Sequence, residues 1–313
     1  MARLLAIFVA SYLALAASAV AEDARPSGAS SRSPMAAPAA PVAPANASPI
    51  EVPPREEVET EFAPGQELTG EELFDRFLEN RKRLRTVIQR GRVLSKDPAG
   101  NPQRVDVSMI AKDYRDAKGQ AVDDVFARVM LSFVGPNELE RSAYLFVHRD
   151  EGQDDEFMYS PHRGRTMRVR LSGQSIAGTD FTFDDFLVHL DDLDDARYKR
   201  LADETIDGVS VYVVEATMFA SAETGYSRSI QYLEKEHYIP LRTRYWDAAG
   251  IETKVLTSPH RSLKEFGGVW VAAETTALDL LEGTSSTLHI DELEPDPEID
   301  ESELSISRLA TAR

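Results

Sequence analysis

Gly178-Thr179-Asp180-Phe181-Thr182-Phe183-Asp184-Asp185-Phe186 is the stretch whose reading decides the fold. It follows a basic, strand-like run from Arg163 to Leu171 and precedes an acidic stretch with helical character. Glycine tolerates a positive φ, and an aspartate just after it can accept hydrogen bonds from backbone amides. Gly178, Thr179 and Asp180 therefore read as a structural turn on the way into a helix. Asp184 and Asp185 suit the start of a helical segment Asp184 to Leu193, because a helix N-terminus favours negative charge. Phe181, Phe183 and Phe186 fit either of two roles, lining an apolar cavity or filling a core.

Upstream, Thr69 with Glu72 three residues later forms a capping box, the mark of a helix start. Leu73, Phe74, Phe77, Leu84 and Val87 recur at helical spacing, with Arg81, Lys82, Arg83 and Arg85 in the late turns. That pattern predicts a helix ending near Thr86. Beyond it the period falls to two. Val105, Val107, Met109 and Ala111 alternate with polar residues, as do Val125 to Phe133, Ala143 to Val147, and a series of strands from Val211 to Leu293. Turn signals such as Gly135-Pro136-Asn137, Asp207-Gly208 and Gly267-Gly268 separate them, which predicts an antiparallel meander. No strand–helix–strand rhythm calls for a parallel sheet.

The second faces of these strands are also apolar in part: Phe126 and Met130, then Tyr144 and Phe146, then Tyr212, Val214, Ala216 and Met218. A sheet closed tightly on its own core needs only one apolar face. The pattern predicts a mainly β fold with some α: an open, incomplete antiparallel β-barrel with a helical lid and an apolar cavity at its mouth. Candidate cavity and lid residues are Phe181, Phe183, Phe186, Tyr159, Phe126, Met130 and Trp246.

Read in order, Phe157-Met158-Tyr159-Ser160-Pro161, then Arg165 and Arg168, then Gly178-Thr179-Asp180-Phe181 form one series. It continues through Tyr212, Arg228 to Tyr232, Pro240, Arg242, Tyr245-Trp246-Asp247-Ala248-Ala249-Gly250, Lys254 and Trp270. This series resembles the LolA-like family of periplasmic outer-membrane lipoprotein-sorting proteins, across roughly Leu73 to Leu309. The resemblance implies a carrier that holds the acyl chains of a lipid or lipoprotein in a hydrophobic cavity and helps deliver it towards the outer membrane. It implies an inner-membrane lipid exporter of the resistance-nodulation-division type as a partner, and a monomer. It also implies that Ile299 to Leu309 is the closing strand, reached through the acidic segment Glu294 to Glu303. The alternative within the same fold is a non-catalytic periplasmic sensor or accessory domain.

The first residues read as an export signal, residues 1–21: Arg3, an apolar run from Leu4 to Ala17, and Ala19-Val20-Ala21 as a cleavage site. Left uncleaved, the same run would tether the chain to the inner membrane. Residues 22–66 are rich in Pro and Ala, too poor in burial to offset chain entropy, and read as a disordered spacer. The resemblance implies that residues 67–313 form the lipid- or lipoprotein-binding domain. With no cysteine, an exported chain has neither disulfides nor an acylated cysteine. The net charge of −18 argues against nucleic acid, and Arg163, Arg165, Arg168 and Arg170 read as a solvated or ion-paired sheet face. Six scattered histidines and the lack of nucleophile or phosphate motifs argue against an enzyme, a cofactor or a metal centre. Asp191-Asp192-Leu193-Asp194-Asp195 lacks the ligand spacing of a calcium loop and reads as solvated acid.

Overall fold

The computed structural model describes residues 68–313, apart from 82, 97–99, 117–118, 138, 151–152, 187–195, 221, 223 and 312–313. They fall in the second of two compact units, Glu56–Arg313. The expected leader at 1–21 and spacer at 22–66 lie outside the described residues, as do Asp191–Asp195 and the continuation of the helical segment to Leu193.

Helix α1 spans Gly70–Arg81. Its capping box forms as the sequence predicts: the Thr69 amide donates to Glu72 Oε2 at 2.7 Å, and the Glu72 amide to Thr69 Oγ1 at 3.1 Å. Leu73, Phe74, Phe77 and Leu78 are buried. The helix stops at Arg81 and not near Thr86, which already opens a strand. The run Thr86-Val87-Ile88 is β-branched throughout, stiff at χ1 and better suited to a pleated surface. Leu84 and Val87 therefore fall outside the helical stripe.

The strands follow in chain order: β1 Thr86–Lys96, β2 Pro102–Asp113, β3 Val125–Gly135, β4 Ala143–Arg149, β5 Asp155–Ser160 and β6 Arg165–Arg168. After the short helix α2 (Phe183–Phe186) come β7 Ala196–Ile206, β8 Val209–Met218, β9 Arg228–Glu234, β10 Pro240–Trp246 and β11 Glu252–Thr257. A small hairpin, β12 Leu263–Phe266 with β13 Val269–Ala272, precedes β14 Glu274–Asp279 and β15 Ser285–Pro295. Thirteen strands form one antiparallel sheet in the order β6-β5-β4-β3-β2-β1-β15-β14-β11-β10-β9-β8-β7. Its edges, β6 and β7, do not pair, so the barrel stays open.

Register identifies the face that matters. Val214 opposes Gln231, Gln231 opposes Thr243, Thr243 opposes Leu256, and Leu256 opposes Ala277. Thr275 opposes Leu288, Leu288 opposes Val93, and Val93 opposes Val105. One inner face thus runs through the sheet, covered by α1 at β7–β9 and by Leu171, Ile176, Phe181 and Phe183 at the other end. Across the sheet, Ile110, Met130, Leu145 and Phe157 form a second apolar surface.

The chain's last segment seals that second surface, though not as a strand. Ile299 to Leu309 forms a 3₁₀ turn, Glu301–Leu304, and then α3, Ile306–Leu309. Asp300 accepts from the Ser302 amide at 2.8 Å and Ser305 Oγ from the Arg308 amide at 3.3 Å, side-chain caps that favour a helical start over a ladder. Leu304 and Leu309 are fully buried against Met130 and Leu145. No described helix is long and apolar enough to cross a membrane.

Candidate ligand-binding cavity

The link from β6 to β7 carries the Gly-Thr-Asp-Phe stretch along the inner face. Ala177 and Gly178 both take positive φ, +51° and +75°. The Thr179 hydroxyl donates to the Ile176 carbonyl at 2.8 Å and the Ser175 hydroxyl to the Thr179 carbonyl at 2.6 Å. The Asp180 carboxylate accepts from the hydroxyls of Ser286, at 2.5 Å, and Thr284, while its amide donates to Ser286 Oγ at 2.9 Å. The motif is fastened sideways to β15 rather than forward to α2.

Two further carboxylates hold the link. Asp184 accepts from the amides of Gly173 at 2.7 Å and Gly225 at 3.3 Å, and burial pushes its carboxyl above the ordinary range despite those bonds. Asp185 accepts from the Thr182 amide and from Lys254 Nζ, each at 2.7 Å, and from the Tyr226 hydroxyl at 3.0 Å. The Asp185 and Lys254 side chains are 1% and 6% exposed. Burial, then the Asp185 charge, raises the Tyr226 hydroxyl pKa, and its ring stacks on Tyr245 at 4.2 Å. Every carboxylate here is occupied by the fold itself.

Beside this anchor lies a cavity of about 240 Å³. Phe77 of α1, Phe181 of the link, Met109, Leu256 and Leu288 of the sheet and Trp270 of β13 contribute its apolar walls. The cover is pinned by Asn80, buried at 5% exposure. Its side-chain amide donates to the Trp270 carbonyl at 2.8 Å and accepts from the Trp270 amide at 3.2 Å, pairing as a neighbouring strand would. The His237 ring stacks on Trp270 at 3.9 Å with 9° between planes. The volume lies below the roughly 300–1,000 Å³ of typical small-molecule pockets, so the space is narrow. Among the described residues no group of three or more histidines and carboxylates could hold a metal.

The seven residues singled out from sequence scatter. Phe181 lines the cavity. Phe183 sits behind it in the inner core, 4.8 Å from the Tyr144 ring and 5.6 Å from Phe146. Phe186 is the last residue of α2. Phe126 stacks on His148 at 5.4 Å. Met130 and Tyr159 belong to the opposite surface, under Leu304 and Leu309. Trp246 also faces away from the cavity, beneath the guanidinium groups of Arg228 and Arg244 at 4.0 and 5.2 Å. Asn80, Gln231 and Trp270, which help to form the cavity, were not among the seven. Asn80 had a readable signal: an amide three residues beyond Phe77 on an otherwise apolar stripe. Gln231 had another, as a long polar side chain between Ser229 and Leu233 on a buried strand face.

A family model described as an uncharacterized protein matches residues 127–311. No curated protein sequence is detectably similar to the chain. Among solved structures, an outer membrane lipoprotein-sorting protein domain from Vibrio parahaemolyticus superposes with a TM-score of 0.67 at 20% identity, covering 77% of this chain and 98% of that one. A DUF1329 family protein from Desulfovibrio piger gives 0.67 at 21% identity, with the same coverage. A LolA superfamily protein from Nitrosomonas europaea gives 0.60 at 14%, covering 76% and 98%. The family match spans more than half the chain, and these neighbours share its open sheet. The chain belongs to that family, and its fold is LolA-like.

Proposed function

We propose that this protein is a non-catalytic carrier that holds one apolar chain of a lipid or lipoprotein in the cavity beneath α1. The observation that carries this reading is the cavity itself: an apolar space walled by the inner face, α1 and Trp270, where Asp185, the one charged residue among the described lining residues, is paired with Lys254. Burial at about 25 cal/mol per Å² of apolar surface is enough to retain an alkyl chain without a covalent step. Size limits the cargo. At about 240 Å³ the space lies below the usual range of small-molecule pockets, which suits a slender apolar chain.

In this reading the leader is cleaved after Ala21, residues 22–66 are a flexible arm, and the carrier works in the periplasm. It takes cargo from an inner-membrane exporter of the resistance-nodulation-division type and moves it towards the outer membrane. The test is to purify the protein from the cell envelope, extract it with organic solvent and titrate it with a fluorescent acyl probe. Co-purified lipid and saturable probe binding are expected. Leu256→Trp, which fills the cavity from β11, should abolish probe binding while leaving a cooperative unfolding transition. Lipid-free protein that binds no probe sinks the reading. N-terminal sequencing should find Glu22 first; an intact Met1 confined to membranes would point to a tethered accessory instead.

A further inference from the structure

We infer that the cavity selects a neutral, single-chain apolar molecule ending in a hydrogen-bond donor, and turns away anionic head groups. This rests on the carrier reading and adds the chemistry of the ligand's polar end. Three observations support it.

The first is the charge of the walls. Among the described residues no lysine, arginine or histidine lines the cavity. The nearby ammonium, Lys254, is taken by Asp185 at 2.7 Å, and Asp185 itself contributes to the wall. A carboxylate or phosphate placed here would be desolvated beside a carboxylate, with no counter-charge of its own.

The second is how three of the other polar side chains are used. The Ser258 and Thr275 hydroxyls bond each other at 2.8 Å. The Asn80 amide is spent on both polar groups of the Trp270 backbone. These three groups stabilise the walls, which Gln89, Thr243 and Tyr245 complete.

The third is Gln231. It stands opposite Thr243 on the inner face, and both line the cavity. Its Oε1 is buried without a hydrogen-bond partner among the described residues. A buried acceptor left unpaired is costly, and natural folds rarely keep one without a use. The torsion that turns the terminal amide is broad and soft, so this oxygen can swing to meet a donor in the cavity. A hydroxyl or a primary amide supplies that donor, whereas an ionised acid does not.

The experiment titrates the purified full chain with an alcohol, a primary amide and a carboxylate sharing one medium-length alkyl chain, and with the corresponding alkane. At neutral pH the alcohol and the amide should each bind about tenfold or more tighter than the carboxylate. Lowering the pH until the acid is protonated should bring it level with the alcohol. Gln231→Met keeps the side-chain length and removes the acceptor. It should cost the alcohol and amide about tenfold relative to the alkane, whose continued saturable binding shows that the variant's cavity still forms. If the chains bind regardless of head group, or if Gln231→Met leaves the discrimination untouched, this inference falls and the carrier stands. If none of the four binds, the carrier reading falls and takes this one with it.

Discussion

Asp185 and Lys254 sit where a mistake would be most expensive. Both are almost fully buried, 2.7 Å apart, at the point where the link meets β11. Lys254→Ala leaves a buried carboxylate without its cation, and the expected loss is about 3–5 kcal/mol. The pair Asp185→Asn with Lys254→Met removes both charges and should recover much of it. Denaturant titration of the three variants checks this; a double variant as unstable as Lys254→Ala would show that the charge pairing is not the cause. Asp184 behaves in the opposite sense. Burial raises its folded pKa above its unfolded value, so its ionised form opposes folding and stability falls as pH rises through that interval. Asp184→Asn keeps an oxygen for the Gly173 and Gly225 amides and drops the charge. Its melting temperature should exceed wild type at neutral pH and converge with it in acid; a lower value at neutral pH would count against the burial argument.

At the scale of elements, α1 depends on a glycine. A Cβ on Gly70 would meet Arg200 N and Lys199 C at 2.7 Å, both backbone atoms that cannot step aside. Gly70→Val should lift the start of α1 from β7, cost about 1–3 kcal/mol, and weaken acyl-probe binding. Unchanged probe affinity would mean α1 is no part of the cover. The start of α1 was legible because Thr69 and Glu72 act within one turn. Its end was not, because Leu84 and Val87 fall at helical spacing by coincidence while a β-branched run decides the conformation. Alternation located the strands, yet it does not say which face looks inward when both are apolar. Met130 and Trp246 were therefore equal to Phe181 in the sequence, and the structure puts them on the other side. The register shift between Tyr245 and Trp246 adds a local irregularity that alternation cannot see. The Gly178-Thr179-Asp180 turn could be read locally. Its partners Thr284 and Ser286, more than 100 positions away, could not.

For the whole molecule, the described residues belong to one compact unit, Glu56–Arg313. That unit expressed alone should unfold at the temperature of the full chain and keep its probe affinity. A large drop in either would show that residues before Glu56 stabilise it. The sheet's connectivity has a consequence in time rather than in space. β1 is the first strand of the sheet and its partner on one side, β15, is the last, with paired residues such as Arg90 and Glu292 separated by 202 positions. The strands β1 to β6 can zip as each arrives, and so can β7 to β14, but the seam between the two sets closes only when β15 has arrived. So long a loop closure makes folding slow, in the range of milliseconds to seconds for such β topologies, and β1 waits meanwhile as a bare edge. A chain that emerges amino end first presents that edge until β15 follows, so the time its bare edge stays open depends on how quickly those residues arrive.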